Sequence, residues 1–166
     1  MTNVTALHEA PAAPTRDSSA VIRGVLIGGL VAGVVDIAAA AAINRAPIGL
    51  ILQAIASGLL GKASFHDGAA SETVGFVLQL GMSLIIAAVY GVASTRLPTL
   101  IRRPVSMGAL YGVGVFIVMN FVVVPLSAAH MKPKVTLAFI GLNLAAMVLF
   151  GLIVALSQAW TAKTKP

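Results

Sequence analysis

One carboxylate in this chain sits where a carboxylate is costly. Asp36 interrupts the apolar run of residues 24–42, GVLIGGLVAGVVDIAAAAA. It falls about 14 residues beyond Ile22, or roughly 21 Å along a helix. An unpaired carboxylate at such a depth in a bilayer costs about 2.5–3.5 kcal/mol on insertion scales. It must be protonated, hydrogen-bonded to another helix, or within reach of water. No Lys or Arg lies at a comparable depth in the other apolar runs, so an ion pair is not expected unless Arg45 folds back. Three amides complete the set. Gln79 lies on the i, i+4 stripe Gly75, Gln79, Ser83, Ala87, Gly91, Asn120 lies near the far end of the third long run, and Asn143 lies in the outer third of the fourth. With helices alternating in direction, Asp36, Gln79, Asn120 and Asn143 fall in one half of the bilayer. There they form a candidate polar site, sensitive to protons or solutes and opening outward. The competing expectation is that each group bonds a nearby backbone carbonyl as interhelical glue, worth about 0.6–2 kcal/mol.

Other chemistry is sparse. His8, His66 and His130 fall in the tail and loops, whereas haem ligation in a bundle needs His within the helices. His66, Asp67 and His130 are the loop residues with metal-binding side chains, and solvated loop histidines are the ordinary outcome. Neither a metal nor a cofactor is expected. Cysteine is absent, which excludes disulfides and thiolate ligands. HExxH, a phosphate loop, a nucleophile elbow and usefully spaced carboxylate pairs are all missing, so the chain does not read as an enzyme.

The elements that must position these residues follow from hydropathy. Charged residues make up 10% of the chain and hydrophobic ones 58%, with mean hydropathy +0.99. A soluble domain carries about a quarter charged residues, so this chain lacks the polar surface to cover a globule. The expected fold is an all-α integral membrane protein with four transmembrane helices and one short interfacial or re-entrant helix. The spans are placed at about 21–43, 71–94, 105–124 and 135–160, with the short helix at 47–61. Residues 1–20 form a polar tail expected to be disordered, and 161–166 a second tail. Asn44, Arg45 and Pro47 end the first span, and Pro125 ends the third. Residues 62–70 read as a polar loop, with Ser71 capping the second span. In the short helix Ile48, Ile51, Leu52, Ile55 and Leu59 make an apolar stripe that leaves out Gln53 and Ser57.

The net charge of +6 is set between apolar runs and at the ends, which suits lipid headgroups and topology and not nucleic acid. Arg16, Arg23, Arg96, Arg102, Arg103, Lys163 and Lys165 fall on one side, and Arg45, Lys62, Lys132 and Lys134 on the other. By the positive-inside rule both termini are cytoplasmic. Gly24/Gly28, Gly29/Gly33 and Gly108/Gly112 are GxxxG pairs. They pack helices within one bundle, or serve self-association and docking into a larger membrane complex.

The pattern GGLVAGVVDIAAA, the segment LQAIASGLLG, the LP turn at Leu97 and Pro98, and VMNFVVVPLSA together resemble small bacterial inner-membrane proteins related to YagU. The similar stretch covers most of residues 24–157. It implies a multi-pass protein of the bacterial inner membrane and supplies no reaction. Similar proteins often place His where this chain has Gln79 and Asn143, so no metal, haem or relay role carries over to those positions.

The sequence thus points first to a non-enzymatic inner-membrane protein, a structural or accessory subunit packing through its Gly-rich faces. A small transporter or channel-like protein using the polar site is the alternative. A lipid- or quinone-binding module, with the short helix shaping an access groove, is the third reading.

Overall fold

The computed structural model describes residues 17–128 and 136–164. The described residues are helical, in the order α1 (Ser18–Asn44), α2 (Ile48–Leu60), α3 (Ala69–Arg96), α4 (Thr99–Arg102), α5 (Pro104–Val118), α6 (Val124–Leu126) and α7 (Leu137–Lys163). A 3-10 segment, Gly61–Phe65, extends α2, and a π-helical segment, Met119–Val123, joins α5 to α6. The expectations for residues 1–16, including His8 and Arg16, for the start of the fourth span at Val135, and for His130, Lys132, Pro133, Lys134 and Lys165 lie outside the described residues.

Local chemistry explains the boundaries. Asp17 caps α1, accepting bonds from the Ser19 amide (3.0 Å) and hydroxyl (2.7 Å). Those bonds hold its carboxyl below the usual carboxylate range. Arg45 ends α1 in the left-handed region at φ 51°, its N–H turned back to the carbonyls of Ala41 and Ala42. Gly61 and Gly68 both adopt positive φ, 64° and 52°, at the two ends of the α2–α3 connection, where a side chain would be strained.

Among the described residues, five helices are long and apolar enough to cross a membrane: Ser18–Asn44, Ile48–Phe65, Ala69–Arg96, Pro104–Leu126 and Leu137–Lys163. The chain is a helical membrane protein. The expected short helix at 47–61 matches α2, but the 3-10 turn that follows carries the apolar segment on to Phe65, for 18 residues, long enough to count among the candidate spans. The expected polar loop at 62–70 is correspondingly mostly ordered turn and helix. Ser71 does not cap α3. The helix starts at Ala69, and Ser71 is buried, its hydroxyl donating to the Ser64 carbonyl at 2.5 Å and so tying the 3-10 turn to α3. Nor does Pro125 end the third run. The Val124 N–H reaches the Met119 carbonyl across a π-helical turn, and the helix continues to Leu126. Arg102 closes a further helical turn, α4.

Facing residues set the helix directions. Gly29 of α1 meets Leu84 and Ala87 of α3, Gly33 meets Ser83, and Gly91 of α3 meets Val25 and Val21. Gly24 meets Gln158 and Thr161 of α7, and Gly28 meets Ser157 and Val154. Gly108 of α5 meets Ala155 and Leu152, and Gly112 meets Met147 and Val148. So α3 and α7 run antiparallel to α1, and α5 runs antiparallel to α7. One end of the bundle gathers Arg23, Arg96, Arg102, Arg103 and Lys163. The other gathers the end of α1, the start of α3 and the start of α7.

The segment α2 lies at that second end. Its Leu52 carbonyl crosses directly over Gly75, Gln53 Nε2 donates to Glu72 Oε1 at 3.1 Å, and the Gly58 carbonyl accepts from the Ala128 N–H at 3.0 Å. Its polar side turns toward the protein: Ser57 is fully buried, while Ile48 and Leu59 of the expected apolar stripe are exposed and only Ile51 is buried.

The core occupies one half of the molecule. Ala32, Ala87, Tyr90, Phe150, Val154 and Ala155 form it. Every buried residue of α7 lies at or beyond Phe150, and every buried residue of α5 at or before Val115. Among the described residues, the core's buried members come from α1, α3 and α7, with Tyr111 of α5 packed against them.

Candidate functional site

Asp36 stands at the edge of the core, one residue before buried Ile37. Its partner is Gln79 of α3, whose Nε2 donates to Asp36 Oδ2 at 2.7 Å. One turn away on each helix, the Ser83 hydroxyl lies against Gly33 and donates to the Gln79 carbonyl at 2.8 Å. The sequence explains this arrangement. Gly33 lets the helices close where Asp36 and Gln79 must meet, because a side chain there would strike Ser83. The i, i+4 stripe of α3 is its α1-facing surface: Gln79, Ser83, Ala87 and Gly91 all meet α1. Gly75, at the head of the stripe, instead receives the backbone of α2.

Both members of the pair are half-buried. The Asp36 carboxylate bonds a neutral amide, and Arg45 does not fold back onto it among the described contacts. The pair thus holds a carboxylate in place without cancelling its charge. Chemically, such a group can take up a proton or accept a bond from a cationic or hydroxylated solute.

The two asparagines do not join it. Asn120 is exposed and donates to the Phe116 carbonyl at 2.8 Å. Asn143 donates to the Phe139 carbonyl at 2.9 Å. Each satisfies the carbonyl four residues before it on its own helix. The expected four-residue cluster is therefore reduced to the Asp36–Gln79 pair. His66 and Asp67 are exposed in the α2–α3 connection.

All six packing glycines lie in helix crossings of this chain. Gly24 and Gly28 face α7, Gly29 and Gly33 face α3, and Gly108 and Gly112 face α7 around Gly151. These faces are filled from within the bundle.

Five residues with polar anchoring roles escaped the sequence reading. Gln158 is fully buried, its Nε2 donating to the Val21 carbonyl at 3.3 Å in a slot floored by Gly24 and Gly91. Tyr111 donates to the Ile86 carbonyl at 2.6 Å and Tyr90 to the Leu100 carbonyl at 3.0 Å, their rings meeting edge-on at 5.0 Å. Glu72 and Gln53 hold α2 to α3. A signal for Gln158 was present: Gly151, Ala155, Gln158 and Ala159 make a small-residue stripe with one amide in line.

The fold and this pair define a helical membrane protein carrying an acid–amide contact between two long apolar helices. No protein family, curated protein or solved structure matches the chain.

Proposed function

We propose that this is a non-enzymatic, multi-pass inner-membrane protein of the YagU-like type that acts as a small transporter, with Asp36 as its proton- or solute-accepting group. The observation that carries this reading is the Asp36–Gln79 bond. Among the described acids, Asp36 alone sits well inside a long apolar helix, and its partner is neutral. Acids in that position are functional more often than surface ones. The accessory-subunit reading loses its main support, because its Gly faces are occupied by the chain's own helices.

In the proposed topology four helices cross the bilayer and the α2 segment lies across the outer end. Supporting this, Leu52 near the start of the segment and Ser64 near its close both touch residues 71–75 of α3. A fifth crossing would carry its close to the opposite end. Supporting cytoplasmic termini, Arg23, Arg96, Arg102, Arg103 and Lys163 share one end.

The test uses proteoliposomes with a trapped pH dye and an imposed proton gradient. The native protein is expected to speed dye response above protein-free vesicles. Asp36→Asn, which keeps an oxygen for Gln79, should fall to the vesicle background while its melting temperature is preserved. An Asp36→Asn protein that moves protons like the native one rules the reading out.

A further inference from the structure

We propose that the outer face of α3 binds one anionic phospholipid, an acyl chain lying in a furrow and Arg96 on the headgroup phosphate. The site is separate from Asp36 and rests only on the membrane placement of the helices.

The furrow is a shallow depression open to the lipid side, of about 610 Å³, lined along this one helix by Ile85, Ala88, Val89, Val92, Ala93 and Arg96. These residues recur at i, i+3 and i+4, on the side of α3 away from the α1-facing stripe. Ile85, Val89 and Val92 are exposed and form the walls, and half-buried Ala88 and Ala93 leave the space between them. From Ile85 to Arg96 the helix rises roughly 16 Å. One leaflet of a hydrocarbon core is about 15 Å deep. The furrow therefore starts near the midplane and reaches the headgroup level where α3 ends, and Arg96 is its last residue.

Charge selects the headgroup. Among the described residues Arg96 makes no ion pair and no side-chain hydrogen bond. Arg23, Arg102, Arg103 and Lys163 share its end of the bundle, all exposed. The described acid at that end, Asp17, is engaged by Ser19. Tyr90 pins Leu100, and with it the basic α4 turn, back onto α3. A guanidinium is a weakly hydrated, forked donor suited to a phosphate. Excess positive charge favours a lipid with net negative charge over a zwitterionic one. A second copy packed on this face side by side would bring Arg96 against Arg96.

The experiment is native mass spectrometry of the full chain, delipidated in mild detergent and titrated with phosphatidylglycerol or with phosphatidylcholine of the same acyl chains. Phosphatidylglycerol is expected to give the tighter first adduct. Arg96→Gln should weaken that adduct about fivefold and weaken the phosphatidylcholine adduct less. Ala93→Leu, which fills the furrow, should weaken both lipids. Arg103→Gln should have the smaller effect. Equal binding of the two lipids by the native chain overturns the proposal. So does an Arg103→Gln loss as large as that of Arg96→Gln, which would mean diffuse attraction to the basic end. A dimer peak that Ala93→Leu abolishes, with no lipid adduct, also overturns it and assigns the face to a second copy. The substituted side chains point outward, and unchanged melting curves verify that each variant is folded.

Discussion

Gly112→Ala is expected to destabilise the bundle by about 2–3 kcal/mol, while Gly114→Ala on the same helix costs nothing. The difference lies in what each new methyl group would meet. At position 112 it falls onto the backbone of α7: the Met147 carbonyl oxygen, and the Val148 Cα at 2.6 Å. Backbone cannot step aside as a side-chain tip can, so α5 and α7 must separate. Gly151 faces back across the same crossing and meets the Gly108 carbonyl and the Gly112 backbone. Separation would therefore uncover the whole contact, and lipid gives no hydrophobic compensation for lost packing. At position 114 nothing lies within 4 Å. There the substitution brings only a better helix former, worth up to about 1 kcal/mol. Thermal melting of both variants in one detergent makes the comparison. Equal melting temperatures would mean that the α5–α7 crossing is not held by close backbone approach.

The second large effect belongs to Gln158. Gln158→Ala should cost about 2–3 kcal/mol, from a cavity between three helices and the loss of the bond to Val21. Gln158→Met keeps the volume and removes only the polar end, and should cost about 0.6–1.7 kcal/mol. The slot offers a sharper test. A methyl group at position 24 would sit 2.7 Å from the Gln158 side chain and 2.8 Å from the Thr161 hydroxyl. Gly24→Ala alone should therefore destabilise through overpacking. Joined to Gln158→Ala, it enters space that the first change emptied. The double variant should be more stable than the sum of the two losses by at least about 1 kcal/mol. Strict additivity would show that Gln158 and Gly24 do not share the slot.

The helices were legible because lipid leaves hydropathy as a direct record of what spans. Asp36 was legible for the same reason, as a charge inside a span. Gln79 was legible because it shares a stripe with Gly75, Ser83, Ala87 and Gly91, and a run of small residues at helical spacing marks a close-packed face. Asn120 and Asn143 show where that inference stops. Depth along a helix follows from counting residues, but rotation about its axis does not. Both amides turn back to their own helices instead of toward Asp36. Gln158 was hidden by its position. It lies two residues before Trp160 and close to Lys163, where a polar residue reads as headgroup-level. Its small-residue stripe hints at burial, and the packing against Gly24 and Gly91, both distant in sequence, establishes it as interior. The α2 helix, Ile48–Leu60, falls within the expected 47–61, and the 3-10 turn after it was not legible because it has too few residues for a helical period to register.

The junction of α1 with α7 also has a meaning in time. Gln158 and Val21 are bonded across 137 residues of chain. At ribosomal rates the interval between making one and making the other is on the order of ten seconds. Throughout that interval the Gly24/Gly28 face of the first helix has no partner from its own chain. The newborn protein thus carries an open seam until α7 is released into the bilayer. Chaperone-like insertion factors, or a sister chain emerging nearby, have that interval in which to occupy it.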